Sequence, residues 1–444
     1  MACSHFPQLH GSEHNEVSDK LDRLSELPDS LILSILSCLW STRDVVRTTI
    51  LSKRWKDLWT TVPCLEFDDE NQEFISGVLA QWRGAKIERF CFLCLSDEVP
   101  PPTRSDVESW LLFAMEKQVE DLHIYTNVPY CPPQSLYSCS SITTLDLQYC
   151  SLEIDGSVQW NQLKNLSIQN PYSLSADAIS KLLSGAPHLE YLTLTTLDID
   201  GNFDIVSPRL KTLLIEEAGI YGELTIRAPN LLTLEILASI YNGSSVLCHV
   251  PSLTKACIEA RDWDAYDPPP EMYDPPLETF YQLLRCICHV KKVELSELST
   301  ELLLTMKNKD MVVGFPNAEV LNHTGLLRYI GLLHFLDLLE LFPKLKMLSF
   351  HQTQAYQDFN PIVVTPFPCP SVLHLNTVEI SWSAEDPSII PFIEFILQNA
   401  PLLHKLVFSL LPLSCNRKRF LMIEEKVQSM PRSSPTAEVI IVRK

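Results

Sequence analysis

Residues 187–237 read PHLEYLTLTTLDIDGNFDIVSPRLKTLLIEEAGIYGELTIRAPNLLTLEIL, and the phrase L-x-x-L-x-L/I returns in them at a fixed interval. It is carried by Leu189, Leu192 and Leu194, by Leu210, Leu213 and Ile215, and by Leu231, Leu234 and Ile236. Two earlier copies are Ile142, Leu145 and Leu147, then Leu163, Leu166 and Ile168. The central leucines at 145, 166, 192, 213 and 234 are separated by steps of 21, 26, 21 and 21 residues, and Pro187, Pro208 and Pro229 keep the 21-residue step. Apolar residues two apart point to one side of an extended strand. A strand this short cannot bury that side by itself. Repetition allows each copy to stack on the next and bury it jointly.

The period is that of leucine-rich repeats. It predicts an α/β solenoid with parallel strands on its concave face, the regular leucines inside and the intervening positions displayed. Glu190, Tyr191, Thr193, Lys211, Thr212 and Leu214 are the displayed positions, and Tyr191, Thr193, Lys211 and Leu214 are candidate target-binding residues. The 26-residue step is explained by a helix-like stretch at 175–183. Upstream, Trp82, an alternating run at 87–92, a helix at 107–117 and Val119, Leu122 and Ile124 read as first, irregular repeats. Past 250 the spacing widens, though Leu253 with Ile258, Val290 with Val293 and Leu295, and Leu345 with Leu348 and Phe350 keep the phrase. The insert RDWDAYDPPPEMYDPP at 261–276 is too rich in proline and charge for a packed element and reads as a loop. Its Trp263 and Tyr266 either anchor a target or pin the loop to the solenoid.

Ahead of the repeats, residues 22–67 read DRLSELPDSLILSILSCLWSTRDVVRTTILSKRWKDLWTTVPCLEF. Pro28 suits a helix start, where its missing N–H costs nothing. Leu31, Ile32, Ile35, Leu36 and Leu39 follow at helical spacing. Ser41 or Thr42 caps a second helix with Val45 and Val46, and Ser52 a third with Trp55, Leu58 and Trp59. Three short helices make a marginal core. They either seal the end of the solenoid or share their apolar surface with a partner.

This segment resembles the F-box. The resemblance runs through the DRLSELPDSLILSIL opening, Asp44, Val45 and Val46, and the run from Leu51 to Trp55 followed by Trp59, and continues into Pro63, Leu65 and Phe67 as in a plant subgroup. It implies binding to a Skp-family adaptor and, through it, to a cullin-RING ligase. Leu27, Pro28, Leu31, Ile32, Ile35, Leu36, Val45, Leu51 and Trp55 are the candidate adaptor-binding residues, some of which must hold the helices together instead. Residues 369–408 resemble the FBD region that follows the repeats in many such chains: Val378, Glu379 and Ile380, a helix at 390–398, then Leu403, His404, Lys405 and Leu406. The usual glycine between strand and helix is absent. A plant F-box/FBD/LRR-repeat chain is expected, divided as 1–20 disordered leader, 21–68 F-box, 69–118 linker and first irregular repeats, 119–360 repeats with the acidic insert, and 369–444 FBD-like cap.

Chemistry is conspicuous by its lack. No RING ligand set, thioester-forming cysteine context, nucleophile elbow or phosphate loop is visible, so catalytic residues, metal and cofactor are all expected to be none. Cys91 with Cys94 reads as core rather than half a zinc site, and Cys286, Cys288 and His289 are too crowded for a finger. A formal charge of −20 disfavours a nucleic-acid backbone as partner. No apolar run reaches membrane length and no export signal is seen, so the 14 cysteines read as reduced thiols of a cytoplasmic and/or nuclear protein. The expected role is the substrate-recognition subunit of an SCF-type ubiquitin ligase. The alternative is a leucine-rich repeat interaction scaffold without ligase-linked turnover.

Overall fold

The computed structural model describes residues 27–443 apart from 97–99, 128, 200, 241–243, 261–276, 310, 312, 326–334, 336–337, 353–369, 384–388 and 412–416. The expected leader and the insert with Trp263 and Tyr266 lie outside the described residues. Three short helices open the fold: α1 (Asp29–Leu36), α2 (Thr42–Arg47) and α3 (Lys53–Leu58). Pro28 is the residue before α1, and its carbonyl accepts from the Leu31 and Ile32 amides at 3.0 and 3.1 Å. Ser41 caps α2 through its hydroxyl, which accepts from the Arg43 amide at 3.1 Å. Ile32, Leu36, Val45, Trp55 and Trp59 are buried between the helices.

The strand Cys64–Asp68 then begins a 16-stranded parallel sheet in which sequence order and spatial order agree to the last strand, Glu438–Arg443. The array therefore starts inside the segment 21–68 assigned to the F-box. It also runs through the FBD-like region, whose strands Thr377–Ser383, Lys405–Leu411 and Glu438–Arg443 are simply its last three rungs. One hydrogen-bond device recurs throughout. The carbonyl just before a strand accepts the two amides that open the next rung: Lys164 O from Glu190 and Tyr191, Glu190 O from Lys211 and Thr212, Lys291 O from Glu319 and Val320, Asn376 O from His404 and Lys405. The central strands bury their alternate residues, so Leu145, Leu166, Leu192, Leu213 and Leu234 form one inward column and Leu147, Ile168, Leu194, Ile215 and Ile236 a second.

Step length decides what covers this core. Where the step is long, helices such as Arg104–Glu116, Ala176–Gly185 and Glu297–Asn308 return the chain. Over the 21-residue steps there is no length for a helix. Between Leu192 and Ala256, where the steps are 21, 21 and 22 residues, the chain instead lays down Asn202–Val206, Glu223–Arg227 and Ser245–His249, which pair as a second, three-stranded parallel sheet. Phe203, Ile205, Leu224, Ile226 and Val246 point from it into the core. At the strand exits a left-handed residue turns the chain off the sheet: Asp69, Tyr149, Asn170 and Thr196, with φ between 47° and 53°, and Gly325 at the equivalent place after Val320–Thr324; Glu217, at φ 51°, is instead a bulge inside the strand Thr212–Ile220. The amides of Tyr149, Asn170, Thr196 and Gly325 each donate to the neighbouring rung, which compensates the strain of that backbone. Among the described residues no helix is long and apolar enough to cross a membrane.

Candidate interaction surfaces

Helix α1 carries two apolar stripes. Ile32 and Leu36 face the core, whereas Leu31 and Ile35, one position earlier in each turn, face out at 50% and 41% exposure. Leu51 is 55% exposed in the turn before α3. The structure thus divides the nine candidates. Leu31, Ile35, Leu51 and Pro28 lie on the surface, Leu27 is half-buried, and Ile32, Leu36, Val45 and Trp55 hold the module together. Two large residues missing from that set are more open still: Trp40, at 90%, between α1 and α2, and Ile50, at 87%, beside Leu51. Trp40 stands in the turn before α2 and Ile50 ends the single 3-10 turn Thr48–Ile50, both too short for helical periodicity to give a signal. Five large apolar side chains left in water within 21 residues (31 to 51) mark a surface made to be covered.

The module is fused to the array. Arg43 of α2 pairs with the buried carboxylate of Glu70, just past the first strand, and its guanidinium lies 4.5 Å from the Phe74 ring centre. Thr42 Oγ1 accepts from the Glu66 amide at 2.7 Å, and the Trp82 indole N–H donates to Val62 O at 2.9 Å. These contacts join the three helices, the first strand and the first repeat helix into one packed unit.

The opposite face of the long sheet displays the residues between the buried columns. Thr193 and Leu214 are register partners on adjacent strands, Tyr191 is exposed beside them, and Lys211 forms an ion pair with Glu190 at 2.7 Å. Four of the six candidate target-binding residues are therefore brought together. Further along, Lys255 sits between Glu235 at 2.6 Å and Glu294 at 3.8 Å.

Near the start of the face, Cys91, His123 and Asp146 are successive register partners on three neighbouring strands. Their order imitates a nucleophile, base and orienting acid, but the electrostatics do not. Burial, reinforced by Glu66, pushes the Cys91 thiol up to about 12, so it stays protonated. Burial pushes Asp146 up too, but hydrogen bonds from His123, Tyr125 and Ser167 outweigh it and hold the carboxyl below its usual range. Tyr125 Oη donates to Asp146, as does Gln169 Nε2 at 3.0 Å. This is a fixed polar patch without an activated nucleophile. The crowded Cys286, Cys288 and His289 diverge: Cys288 Sγ donates to Arg285 O at 3.3 Å, and His289 Nε2 lies 3.1 Å from Val250 O. No cluster of metal-ligating side chains is found among the described residues.

A small helical module with uncovered apolar side chains, packed onto a leucine-rich repeat array with a polar open face, defines a modular protein-interaction chain. The family described as FBD-associated F-box protein At5g56370, LRR repeats, matches residues 107–255. An F-box/LRR-repeat protein of Arabidopsis thaliana, At3g03360, is 27% identical over 95% of this chain and 91% of its own length. A second from the same plant, F-box/LRR-repeat protein At3g26922, is 31% identical over 53% of this chain and 82% of its own. The FBD-associated F-box protein At5g56370 is 29% identical over 54% and 59%. The chain spans 61% and 62% of the length of two further relatives. It belongs to the plant F-box/FBD/LRR-repeat family.

Proposed function

We propose that the chain is the substrate-recognition subunit of an SCF-type ubiquitin ligase. Its F-box binds a Skp-family adaptor, the adaptor links it to a cullin-RING assembly, and the open face of the repeats holds the target. The observation that carries this reading is the set of uncovered apolar side chains Leu31, Ile35, Trp40, Ile50 and Leu51 on an F-box module. Their desolvation against a partner supplies the driving force for capture. The fusion through Arg43 and Glu70 supports the reading further, because a ligase of this kind contributes proximity. A target on a rigid arm is held at a set distance from the conjugating enzyme. The chain's own role is then non-catalytic, in the cytoplasm and/or nucleus.

The test is co-expression of the full chain with a Skp-family adaptor, with capture of one by the other. Leu31→Lys together with Ile35→Lys places two ammonium groups on the outward stripe, where the free protein tolerates them and an apolar interface does not. Circular dichroism checks that the variant folds. Capture by wild type and loss in the variant is the expected result. A folded wild type that captures no adaptor overturns the ligase role and leaves a leucine-rich repeat scaffold.

A further inference from the structure

The strand Ser245–His249 is an edge, paired in the small sheet with Glu223–Arg227 alone. In a parallel pair every second amide points away from the partner strand. Ser245 N donates inward to Gly222 O at 3.0 Å, so the amide of Cys248, three residues on, faces outward. Helix Leu277–Ile287 lies along this edge and meets it turn by turn. Thr279 Oγ1 donates to Ser244 O at 2.6 Å, Ser245 Oγ to Gln282 Oε1 at 3.2 Å, and the Cys248 amide to Cys286 Sγ at 3.3 Å. The two thiols are near enough for each to shift the other's titration. A half-buried edge amide needs an acceptor, and a thiolate is a far better one than a neutral thiol. Cys286 is half-buried, whereas the Cys248 thiol lies deeper.

We propose that Cys248 and Cys286 form an oxidisable thiol pair, in which a peroxide oxidises Cys286 and Cys248 resolves the product to a disulfide. The Cys286 thiolate attacks one peroxide oxygen and the O–O bond breaks. The products are a sulfenic acid and hydroxide (or alkoxide from an organic peroxide). The Cys248 sulfur then attacks the Cys286 sulfur, an S–S bond forms, and the hydroxyl leaves as water with the Cys248 proton. Two thiols are oxidised as one peroxide is reduced. The groups around Cys286 suit the first step: the neighbouring Cys248 thiol outweighs burial and, with the Cys248 amide and Arg285, holds the Cys286 thiol down to about 6. The same contact raises Cys248, so Cys286 is the thiol that meets the peroxide first and Cys248 gives up its proton as it attacks. Cys288 is excluded, because its thiol turns to Arg285 O. The bond would pin the helix to the edge strand and close the chain from 248 to 286 into a loop that contains the acidic insert at 261–276.

The test uses the reduced full chain, equimolar hydrogen peroxide, maleimide blocking of remaining thiols and peptide mass mapping. The first disulfide is expected to link Cys248 with Cys286. Iodoacetamide modification of Cys286, followed from pH 5 to 9, should be half-maximal near pH 6. In Cys248→Ser, Cys286 should accumulate as a dimedone-trapped sulfenic acid, with its midpoint raised by at least one pH unit. Earlier oxidation of another pair, or a Cys286 midpoint near 8.5 as in an ordinary thiol, overturns the proposal. Both wild-type readouts decide the matter even where the variant fails to fold.

Discussion

Trp40→Ala separates binding from folding more cleanly than any other change in the module. A tryptophan side chain offers about 150–250 Å² of surface to a partner. With 90% of Trp40 in water, nearly all of it is available. At about 25 cal/mol per Å², full coverage by the adaptor is worth roughly 3–5 kcal/mol. Ordering of the ring and incomplete burial at an interface reduce this to about 2–3 kcal/mol, a loss of roughly 30- to 150-fold in affinity. The free protein should hardly respond, since a surface truncation changes stability by about 0.5 kcal/mol or less. Calorimetric titration of the full chain with a Skp-family adaptor gives the first quantity and thermal melting the second. A weakening of less than about threefold with an unchanged melt would refute the argument that exposure here signals a partner.

Ile32→Ala, one position from Leu31, should do the reverse: this side chain is fully buried, and its truncation should cost about 2–4 kcal/mol, read as a lower denaturation midpoint of the module. Arg43→Ala strands the buried Glu70 carboxylate; because Arg43 is itself partly exposed, a destabilisation of about 1–2 kcal/mol is expected, and Glu70→Gln in the same background should recover part of it. His323 occupies an inward column between Phe335 and Phe350, and burial pushes its imidazole down to about 3. It stays neutral in the fold while the unfolded chain takes up a proton below about 6.5, so stability present above that pH should be lost at about 1.4 kcal/mol per unit as pH falls toward 3. His323→Leu should remove about 2 kcal/mol of the loss between pH 7 and 5 in urea titrations, and equal losses in both proteins would exclude the imidazole as the group responsible.

His323 also shows where the sequence stops speaking. The central rungs were legible because Leu145, Leu166, Leu192, Leu213 and Leu234 obey one apolar phrase at nearly one step. In the later rungs that phrase thins: Ala256 stands in the first inward column, and His323 in the second where neighbours have Leu295 and Phe350. The sheet does not break there, since its rungs are joined by main-chain carbonyls such as those of Lys291 and Glu319, which any residue supplies. The return strands 202–206, 223–227 and 245–249 were hidden for a related reason. Five alternating residues match a strand but are too few to distinguish a second sheet from loop. In the module, periodicity showed that α1 is apolar at 31, 32, 35 and 36 but not which pair faces in, because a stripe awaiting a partner is as hydrophobic as one already packed.

These limits follow from how the fold divides labour. A ladder closed by main-chain hydrogen bonds asks of each rung only two inward apolar residues. The outward positions, among them Tyr191, Thr193 and Leu214, are then free to vary without loss of the fold. A module that meets an adaptor common to many chains is held to one surface and reads as a family. A face that meets its own target is held to nothing shared. The F-box resemblance was therefore readable from residues 22–67, while on the proposed reading a target would be written only in the particular side chains of the open face.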